Sequence, residues 1–279
     1  MELFQYYLKY DSSINNALLV LLAIIIITWL LSLFTSNYSH VDRIWSISPV
    51  IFSWMFYKEN NTKTLLLSSL VSIWGILLTY NFYRKGGYDW NNEDYRWVYV
   101  KKKINNKCLW ELFNLLFIHI FQNIVVFVLV MPVYQARFQP KVNIFDYVIS
   151  GFIIFFLLVR TVADQQQWDF HVEKYKLIQE NKPHKNFLQT GLFKFSRHPN
   201  FFAEQSIWIS FYLFSIISSK CWINFDILGP IVLCLIFQGS TTLTEEITLG
   251  KYPEYADYQK NVSRLIPLPS NIEDYIKDD

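Results

Sequence analysis

The sequence predicts an all-α, polytopic membrane protein: a helix bundle with about seven transmembrane helices. Its apolar residues come in long blocks that are almost free of charge, and the polar stretches between them are too short to bury a second core. The chain has 279 residues, of which 52% are hydrophobic. A soluble domain has nearly as many, roughly 45–50%, so the arrangement in blocks decides the class. We expect one membrane domain over 1–279.

Six blocks are long enough to cross a bilayer, which takes about 20 apolar residues in a helix. They lie at 17–34, 64–83, 112–133, 144–163, 202–218 and 222–240. A seventh and weaker span is predicted at 41–57, which opens on charged residues and contains Pro49. Proline is tolerated in a membrane helix where neighbouring helices satisfy the freed carbonyl. The first block is longer than the h-region of a signal peptide, so we interpret it as a retained span.

The distribution of basic residues predicts the orientation. With seven spans, six of the 25 Lys and Arg residues fall on the side of the N-terminus and nineteen on the other side. Cytoplasmic loops carry the excess of Lys and Arg. The N-terminus is therefore expected to be lumenal and the C-terminus cytosolic, with the long loops 84–111, 164–201 and 241–279 also in the cytosol.

Composition excludes two kinds of partner. The net charge is only +2 and no basic tail is present, which argues against nucleic acid. The three cysteines are scattered, and the five histidines form no HxxxH pattern. Neither set has the spacing of metal ligands, so no metal is expected.

A cluster of polar residues precedes the sixth span. Pro199 suits the first turn of a helix, which places the preceding cations beside a helix N-terminus that favours anions. This pattern indicates a phosphate-bearing ligand, and the alternative is a plain helix cap with basic side chains that reach lipid headgroups. The candidate residues are Lys194, Arg197, His198, Asn200 and Glu204.

The end of the fifth span carries Arg160 and Asp164, which are four residues apart and share a helix face. Ionisable residues at membrane depth are costly and usually face a cavity or a partner. We expect both to line the same site as the cluster before the sixth span, although Asp164 and Arg197 are 33 positions apart. The alternative is a simple ion pair within one helix.

The C-terminal segment repeats tyrosine every three residues, at Tyr252, Tyr255 and Tyr258. On a helix these rings could pack on an adenine or donate hydrogen bonds to a cofactor. The alternative is an interfacial aromatic belt, for which tyrosine is also favoured. Arg264 follows the tyrosines and is a further candidate ligand residue.

Taken together, these motifs resemble a known superfamily. The stretch SRHPNFFAE at 196–204 resembles the RHPxYxxE signature of steroid 5-alpha-reductases and sterol reductases, a region that isoprenylcysteine carboxyl methyltransferases share. The finer resemblance is to the reductase-like DUF1295 family. It rests on VDRIWSISP at 41–49, EDYRW at 93–97, ADQQQWDF at 163–170 and KYPEYADYQKNVSRLIPLP at 251–269.

This resemblance implies a seven-helix bundle in the endoplasmic reticulum membrane, with NADPH in a cytosolic-facing pocket built from about 144–269. Asp164, Arg197, His198, Asn200 and Glu204 match positions that line the cofactor pocket of the reductases. Tyr252 and Arg264 match the C-terminal motif more loosely. Phe201 stands where several reductases have tyrosine.

The expected function is an NADPH-dependent reduction of a C=C bond in a hydrophobic lipid or steroid-like substrate. Tyr80 and Tyr83 are the candidate acids for the oxyanion that develops during such a reaction. Two alternatives stay open: an S-adenosylmethionine-dependent methyltransferase of a lipid or an isoprenylcysteine, and a non-catalytic lipid-binding membrane protein.

Overall fold

The computed structural model describes residues 12–270 and is all-helical over that range, which confirms the predicted fold class. The helices before the first long loop are α1 (Ser12–Thr35), α2 (His40–Ile44), α3 (Ser48–Met55) and α4 (Thr62–Arg84). There follow α5 (Tyr95–Ile104), α6 (Lys107–Phe113), a π-helix (Asn114–Phe121), α7 (Gln122–Leu129) and α8 (Met131–Ala136). The last elements are α9 (Ile144–Gln179), α10 (Pro199–Ser219), α11 (Leu228–Lys251) and α12 (Tyr255–Asn261), with 3-10 turns at Gly191–Lys194 and Phe225–Ile227.

Six of the described segments are long and apolar enough to cross a membrane. They are Ser12–Thr35, Thr62–Arg84, Lys107–Ala136, Ile144–Gln179, Pro199–Ser219 and Phe225–Lys251. Five of the predicted blocks lie wholly inside these segments, and the sixth, 222–240, overlaps the last one. Many apolar side chains of α1 are exposed, among them Leu19 and Phe34, as expected for a helix surrounded by lipid chains.

The predicted seventh span, 41–57, is built from the two short helices α2 and α3. Pro49 lies in the first turn of α3, where its missing N–H costs nothing, so the chain restarts a helix there rather than continuing one. Side-chain contacts nevertheless follow the whole length of α4 in antiparallel order. They join Arg43 to Gly87, Ser46 to Thr79, Trp54 to Ser72 and Lys58 to Thr64. The segment therefore traverses the bundle beside α4 as a broken helix.

A buried ion pair lies at the N-terminal end of α4. Lys63 Nζ lies 3.0 Å from Asp146 Oδ2, and both side chains are fully buried. Asn61 caps α4 through the backbone N–H of Thr64 and donates to the carbonyls of Ala136 and Arg137. Lys63 is thus a structural cation of the bundle rather than a free charge in the loop.

The chain divides into two compact units. The first contains residues up to 150 and 211–232, and the second contains 151–210 together with 233 onward. The predictions of a single domain over 1–279 and of a cofactor segment at 144–269 stay predictions. Both termini, with Lys9 and Lys277 of the charge count, lie outside the described residues.

Candidate functional site

The site is organised around the start of α10, in the second unit. Pro199 opens this helix, as the sequence predicts, and the preceding turn is held by Ser196. The Ser196 hydroxyl accepts a hydrogen bond from the backbone N–H of His198 at 3.2 Å and donates to the carbonyl of Leu265 at 2.8 Å. The first turn of α10 is therefore fixed to the C-terminal segment before any ligand is considered.

On one side, the first two turns of α10 contact α9 through buried polar groups. Asn200 Nδ2 donates to Asp164 Oδ1 at 3.2 Å. Arg160 Nε lies 3.1 Å from Glu204 Oε2 and 3.8 Å from Asp164 Oδ2. Glu204 also accepts from Trp208 Nε1 at 3.0 Å. The structure thus brings together the predicted residues of the fifth and sixth spans.

Arg160 keeps one nitrogen unused. Its side chain is 6% exposed, and Nη1 is buried with no hydrogen-bond partner within residues 12–270. A guanidinium carries five N–H donors and no acceptor, so the group that completes this site must offer an acceptor lone pair, as a phosphate or carbonyl oxygen does. A buried unsatisfied donor of a charged group costs free energy, which favours binding of such an oxygen.

On its other side, the start of α10 contacts α11 through Glu245. Arg197 donates from Nε to Glu245 Oε1 at 2.7 Å and from Nη2 to Oε2 at 3.1 Å. His198 Nε2 lies 2.9 Å from Oε1, and because a carboxylate only accepts, this nitrogen carries the hydrogen. Gln259 Nε2 donates to Oε2 at 2.9 Å. Glu245 is therefore surrounded by donors.

The C-terminal segment is tied to the turn before α10. Arg197 Nη1 donates to the carbonyl of Gln259 at 2.8 Å and to that of Val262 at 2.5 Å. Its backbone N–H donates to Ser263 at 2.8 Å, and the N–H of Leu268 donates to Phe195 at 2.9 Å. Arg197 therefore holds Glu245 and the 259–263 backbone in place, and its predicted contact with a cofactor phosphate stays a prediction.

Arg264 resembles Arg160 in having a spare donor. Its Nη2 donates to the carbonyl of Gln238 at 3.0 Å and to the hydroxyl of Thr242. Its Nε is buried without a hydrogen-bond partner in the described part of the chain. The second unit therefore contains two arginines, one on α9 and one after α12, that can each still bind an oxygen acceptor.

The repeated tyrosines divide into two roles. Tyr255 and Tyr258 are buried against Phe187, and Tyr258 Oη donates to the carbonyl of Phe193 at 2.6 Å. Burial raises the pKa of both hydroxyls. These two rings form a local core, which neither of the two sequence interpretations included. Tyr252 is half-buried, and its hydroxyl accepts from Lys174 Nζ at 3.1 Å.

Lys194 lies half-buried in the 3-10 turn Gly191–Lys194. This turn is held against α9: Gly191 has φ +64°, and a Cβ there would lie 2.6 Å from the side chain of Gln166, so no other residue fits easily. Gln166 Oε1 accepts from the N–H of Leu192 at 2.9 Å. Contact between Lys194 and a ligand stays a prediction.

The predicted acids belong to the first unit. Tyr80 and Tyr83 lie on α4 and are 61% and 67% exposed, and the guanidinium of Arg84 lies 5.6 Å from the Tyr80 ring centroid. Their catalytic role stays a prediction.

Sequence reasoning assigned no role to three residues around the motif: Glu245, which accepts from Arg197 and His198, Gln259, which donates to Glu245, and Trp208, which donates to Glu204. Glu245 was visible as part of an acidic pair near the end of the last long apolar block, and nothing in its spacing indicated that it pairs with Arg197. Gln259 and Trp208 carried no signal, because amide and indole groups are common in any helix. Within residues 12–270, no group of three or more His, Cys, Asp or Glu side chains could hold a metal ion.

The fold and this site define a multi-pass α-helical membrane protein with a buried cluster of arginines and carboxylates in its second unit. The chain belongs to the DUF1295 family: the family model, described as "Protein of unknown function (DUF1295)", matches residues 28–262. It is also similar to a protein of Schizosaccharomyces pombe called "Uncharacterized protein C594.04c". The two are 39% identical over 274 residues, covering 91% of this chain and 79% of the relative. No solved structure matches it.

Proposed function

We propose that the protein is an NADPH-dependent reductase that adds a hydride to a C=C bond of a hydrophobic lipid or steroid-like substrate. The observation that carries the proposal is Arg160. It is a buried guanidinium beside Asp164 and Glu204, and its Nη1 has no hydrogen-bond partner among residues 12–270. Bound NADPH would supply the hydride, and the chain's own residues bind and orient it.

The residues of the second unit fit the parts of this cofactor. Arg160 Nη1 and Arg264 Nε each offer a donor to a phosphate or carboxamide oxygen. The carboxylate of Glu204 is an acceptor of the kind that binds a ribose hydroxyl in dinucleotide sites, here that of the nicotinamide ribose, since the adenine ribose of NADPH carries a 2′-phosphate. Arg197 and His198 contribute to the site indirectly, because both bind Glu245 and so fix the start of α10.

The superfamily placement is part of the proposal. Arg197, His198, Pro199 and Glu204 keep the order and spacing of the RHPxYxxE signature in the steroid 5-alpha-reductases and sterol reductases. In this chain, the arginine and histidine of the signature bind Glu245 of α11, and its glutamate binds Arg160 of α9. The signature therefore joins three helices at a polar site, which supports a common architecture.

The location is proposed as the endoplasmic reticulum membrane, with a lumenal N-terminus and a cytosolic C-terminus. The broken span beside α4 supports the crossing on which the charge partition depends. Lys63, one of the six basic residues assigned to the lumenal side, is neutralised by Asp146, which sharpens the asymmetry of the free charges. Glycan acceptor tags inserted near Gln179 should stay unmodified, and their modification would overturn this orientation.

One observation favours the alternative cofactor, S-adenosylmethionine. Arg160 faces two carboxylates, so the cluster with Asp164 and Glu204 has a net charge of −1 when all three are ionised. A sulfonium and an ammonium group are attracted by such a cluster, whereas phosphates are repelled. The spare donors of Arg160 and Arg264 favour NADPH, because its several phosphates offer anionic oxygens to two separate guanidinium groups, whereas S-adenosylmethionine offers a single carboxylate.

Equilibrium binding to the purified full chain in lipid nanodiscs separates the three functions. The proposal expects saturable NADPH binding that S-adenosylmethionine does not displace. Binding of S-adenosylmethionine alone would transfer the site to the methyltransferase class. Binding of neither compound by folded protein would leave the non-catalytic alternative.

A further inference from the structure

His119 is a buried polar residue of the first unit that the cofactor cluster does not involve. It lies on the π-helix Asn114–Phe121, inside the membrane segment Lys107–Ala136, and is 0% exposed. Its Nε2 is buried and has no hydrogen-bond partner within the described residues. π-helical turns inside α-helices occur frequently at functional sites, and an unpartnered nitrogen at such a turn indicates a ligand position.

The partner of the other ring nitrogen determines what kind of ligand fits. His119 Nδ1 lies 3.0 Å from Thr28 Oγ1. The nearest acceptor to the Thr28 hydroxyl is the carbonyl of Ile24, at 2.8 Å, and a carbonyl can only accept. The hydroxyl hydrogen is therefore assigned to that bond, and the hydrogen of the neutral ring to Nδ1. This leaves Nε2 as a bare lone pair, and its ligand must donate an O–H or N–H.

A second buried histidine in the same unit shows the contrast. The Thr35 hydroxyl donates to Leu31 at 2.7 Å and accepts from His40 Nε2 at 2.8 Å. His40 Nδ1 accepts from Arg43 Nη1, also at 2.8 Å. Both nitrogens of His40 are satisfied by the protein, as structural histidines normally are. His119 has the same kind of threonine contact on one nitrogen, and its other nitrogen has no hydrogen-bond partner in the part of the chain that the structure describes.

The surroundings of His119 indicate a membrane ligand. It lies twelve residues after Lys107 and seventeen before Ala136, and it falls inside the apolar block 112–133, which places it within the hydrocarbon. Gln122 and Asn123, about one turn further along, are also buried, and Asn123 Nδ2 donates to the carbonyl of His119. Exposed Leu116 and Ile124 on the same segment fit a face that meets lipid chains.

We propose that His119 Nε2 is the recognition point for the hydroxyl group of an uncharged membrane alcohol, which donates a hydrogen bond to it at hydrocarbon depth. An alcohol is uncharged and brings its own apolar chain, so its hydroxyl can reach hydrocarbon depth at little desolvation cost. A cation or a carboxylate would pay a large desolvation cost there. This site shares no residue with the cofactor cluster, so a test of it is independent of the proposed reductase function.

A matched pair of probes tests the site on the unmodified protein. In the methyl ether of a photoreactive long-chain 1-alcohol, a methyl group replaces the hydrogen that Nε2 would accept, and the rest of the probe is unchanged. In nanodiscs we expect the alcohol to label the Lys107–Ala136 segment at least about tenfold more than the ether, and competition by unlabelled alcohol to remove the label. Equal labelling by both probes would overturn the proposal.

Variants then assign the effect to the imidazole. His119→Phe should abolish the preference for the alcohol, whereas His119→Gln keeps an acceptor oxygen near the same place and should retain part of it. Thr28→Val releases the Nδ1 hydrogen, so the ring can present either tautomer and the preference over the ether should shrink. An unchanged preference in His119→Phe would contradict the assignment.

The competing occupant is a single water molecule, and nitrogen NMR of ¹⁵N-histidine protein distinguishes it. The proposal expects the Nε2 resonance of His119 to have the shift of a bare acceptor in nanodiscs free of alcohols and to move when the 1-alcohol is added. His40 serves as the internal control and should not move. An Nε2 resonance with the shift of a hydrogen-bonded nitrogen that does not move when the alcohol is added would show that water fills the site. This result would overturn the proposal.

Discussion

Two arginines at the start of α10 and on the facing helix α9 have opposite local environments. Arg197 donates to both oxygens of Glu245 and to two backbone carbonyls, so four of its five donors are used within the protein. Arg160 makes ion pairs with Asp164 and Glu204 through Nε and leaves Nη1 buried without a hydrogen-bond partner in the described chain. Arg197 therefore has a structural role, whereas Arg160 has a donor left for a ligand.

This difference teaches that membership of a motif and contact with a ligand are separate properties. Arg197 belongs to the signature stretch, and its donors hold the C-terminal segment in place. Arg160 lies outside that stretch and keeps the spare donor. The account therefore predicts that substitutions of Arg197 act mainly on folding, and that substitutions of Arg160 act mainly on binding.

The largest effect is expected from Arg197→Ala. The substitution leaves Glu245 without its bidentate partner and frees the 259–263 backbone. Breaking a buried pair by removing one partner costs about 3–5 kcal/mol. The thermal unfolding midpoint of the full chain should fall, and protease should cut the segment after α11 more readily. Lys260→Ala is the control in that segment, since its ion pair is exposed and should cost less than about 1 kcal/mol. Equal stability of both variants would contradict the structural role of Arg197.

The next effect is that of Arg160→Lys on binding. Lysine keeps a positive charge between the two carboxylates, so the protein should fold, but an ammonium cannot reproduce the planar fork that presents Nη1. The loss of one hydrogen bond to a charged group is worth about 1.5–3 kcal/mol. The dissociation constant of NADPH should therefore rise by roughly one to two decades, as measured by titration in nanodiscs. Arg197→Lys provides the comparison, and a larger loss of affinity there would reverse the two roles.

A smaller change in cofactor affinity is expected from Asp164→Asn, and its sign distinguishes NADPH from S-adenosylmethionine. The amide keeps the size of the side chain and can still accept from Asn200. Removal of one negative charge should strengthen or preserve the binding of anionic NADPH and weaken that of cationic S-adenosylmethionine. The change is expected to be about 1 kcal/mol, or roughly fivefold in affinity. Loss of NADPH affinity together with a gain for S-adenosylmethionine would count against the electrostatic argument.

The smallest effect concerns the ion pair of Asp94 and Arg96 in the first unit, whose side chains are 21% and 31% exposed. Burial alone would raise the pKa of Asp94, but the hydrogen bonds and charge of Arg96 lower it. A lowered carboxyl pKa stabilises the fold above the pKa of the unfolded chain, and this stability is lost as pH falls through the folded pKa.

Asp94→Asn should therefore lower the unfolding midpoint slightly at pH 7, by less than about 1 kcal/mol in stability. Asp42 repels Asp94 and reduces the effect further. The difference between the variant and the wild type should vanish in acid. A difference that persists at low pH would show that the charge is not its cause.

Most of the fold was predictable because membrane helices are specified by local composition. The apolar blocks placed the long helices, and the exception is informative. The segment 41–57 has the length of a span, but Pro49 divides it into α2 and α3. Its crossing beside α4 depends on contacts such as Ser46 to Thr79, which no local pattern shows.

The candidate site was only partly predictable. The helical spacing of Arg160 and Asp164 and the cap at Pro199 were visible in the sequence, as was the expectation that these regions meet. The roles within the site were not, because they depend on which donors the protein itself uses. The position of Arg197 before a helix predicts phosphate binding, and this stays a prediction; its donors to Glu245 and to the backbone could not be read from the sequence. His119 carries no signal as an isolated histidine in the sequence, because the assignment of its tautomer depends on the contact with Thr28.

The most direct test of the central claim is an NADPH titration of the purified full chain in nanodiscs, with wild type and Arg160→Lys measured side by side. The account predicts saturable binding to the wild type and an affinity lower by roughly one to two decades in the variant, with unchanged unfolding midpoints. Equal affinity in the two proteins, or no binding by folded wild type, would contradict the claim that Arg160 completes a cofactor site.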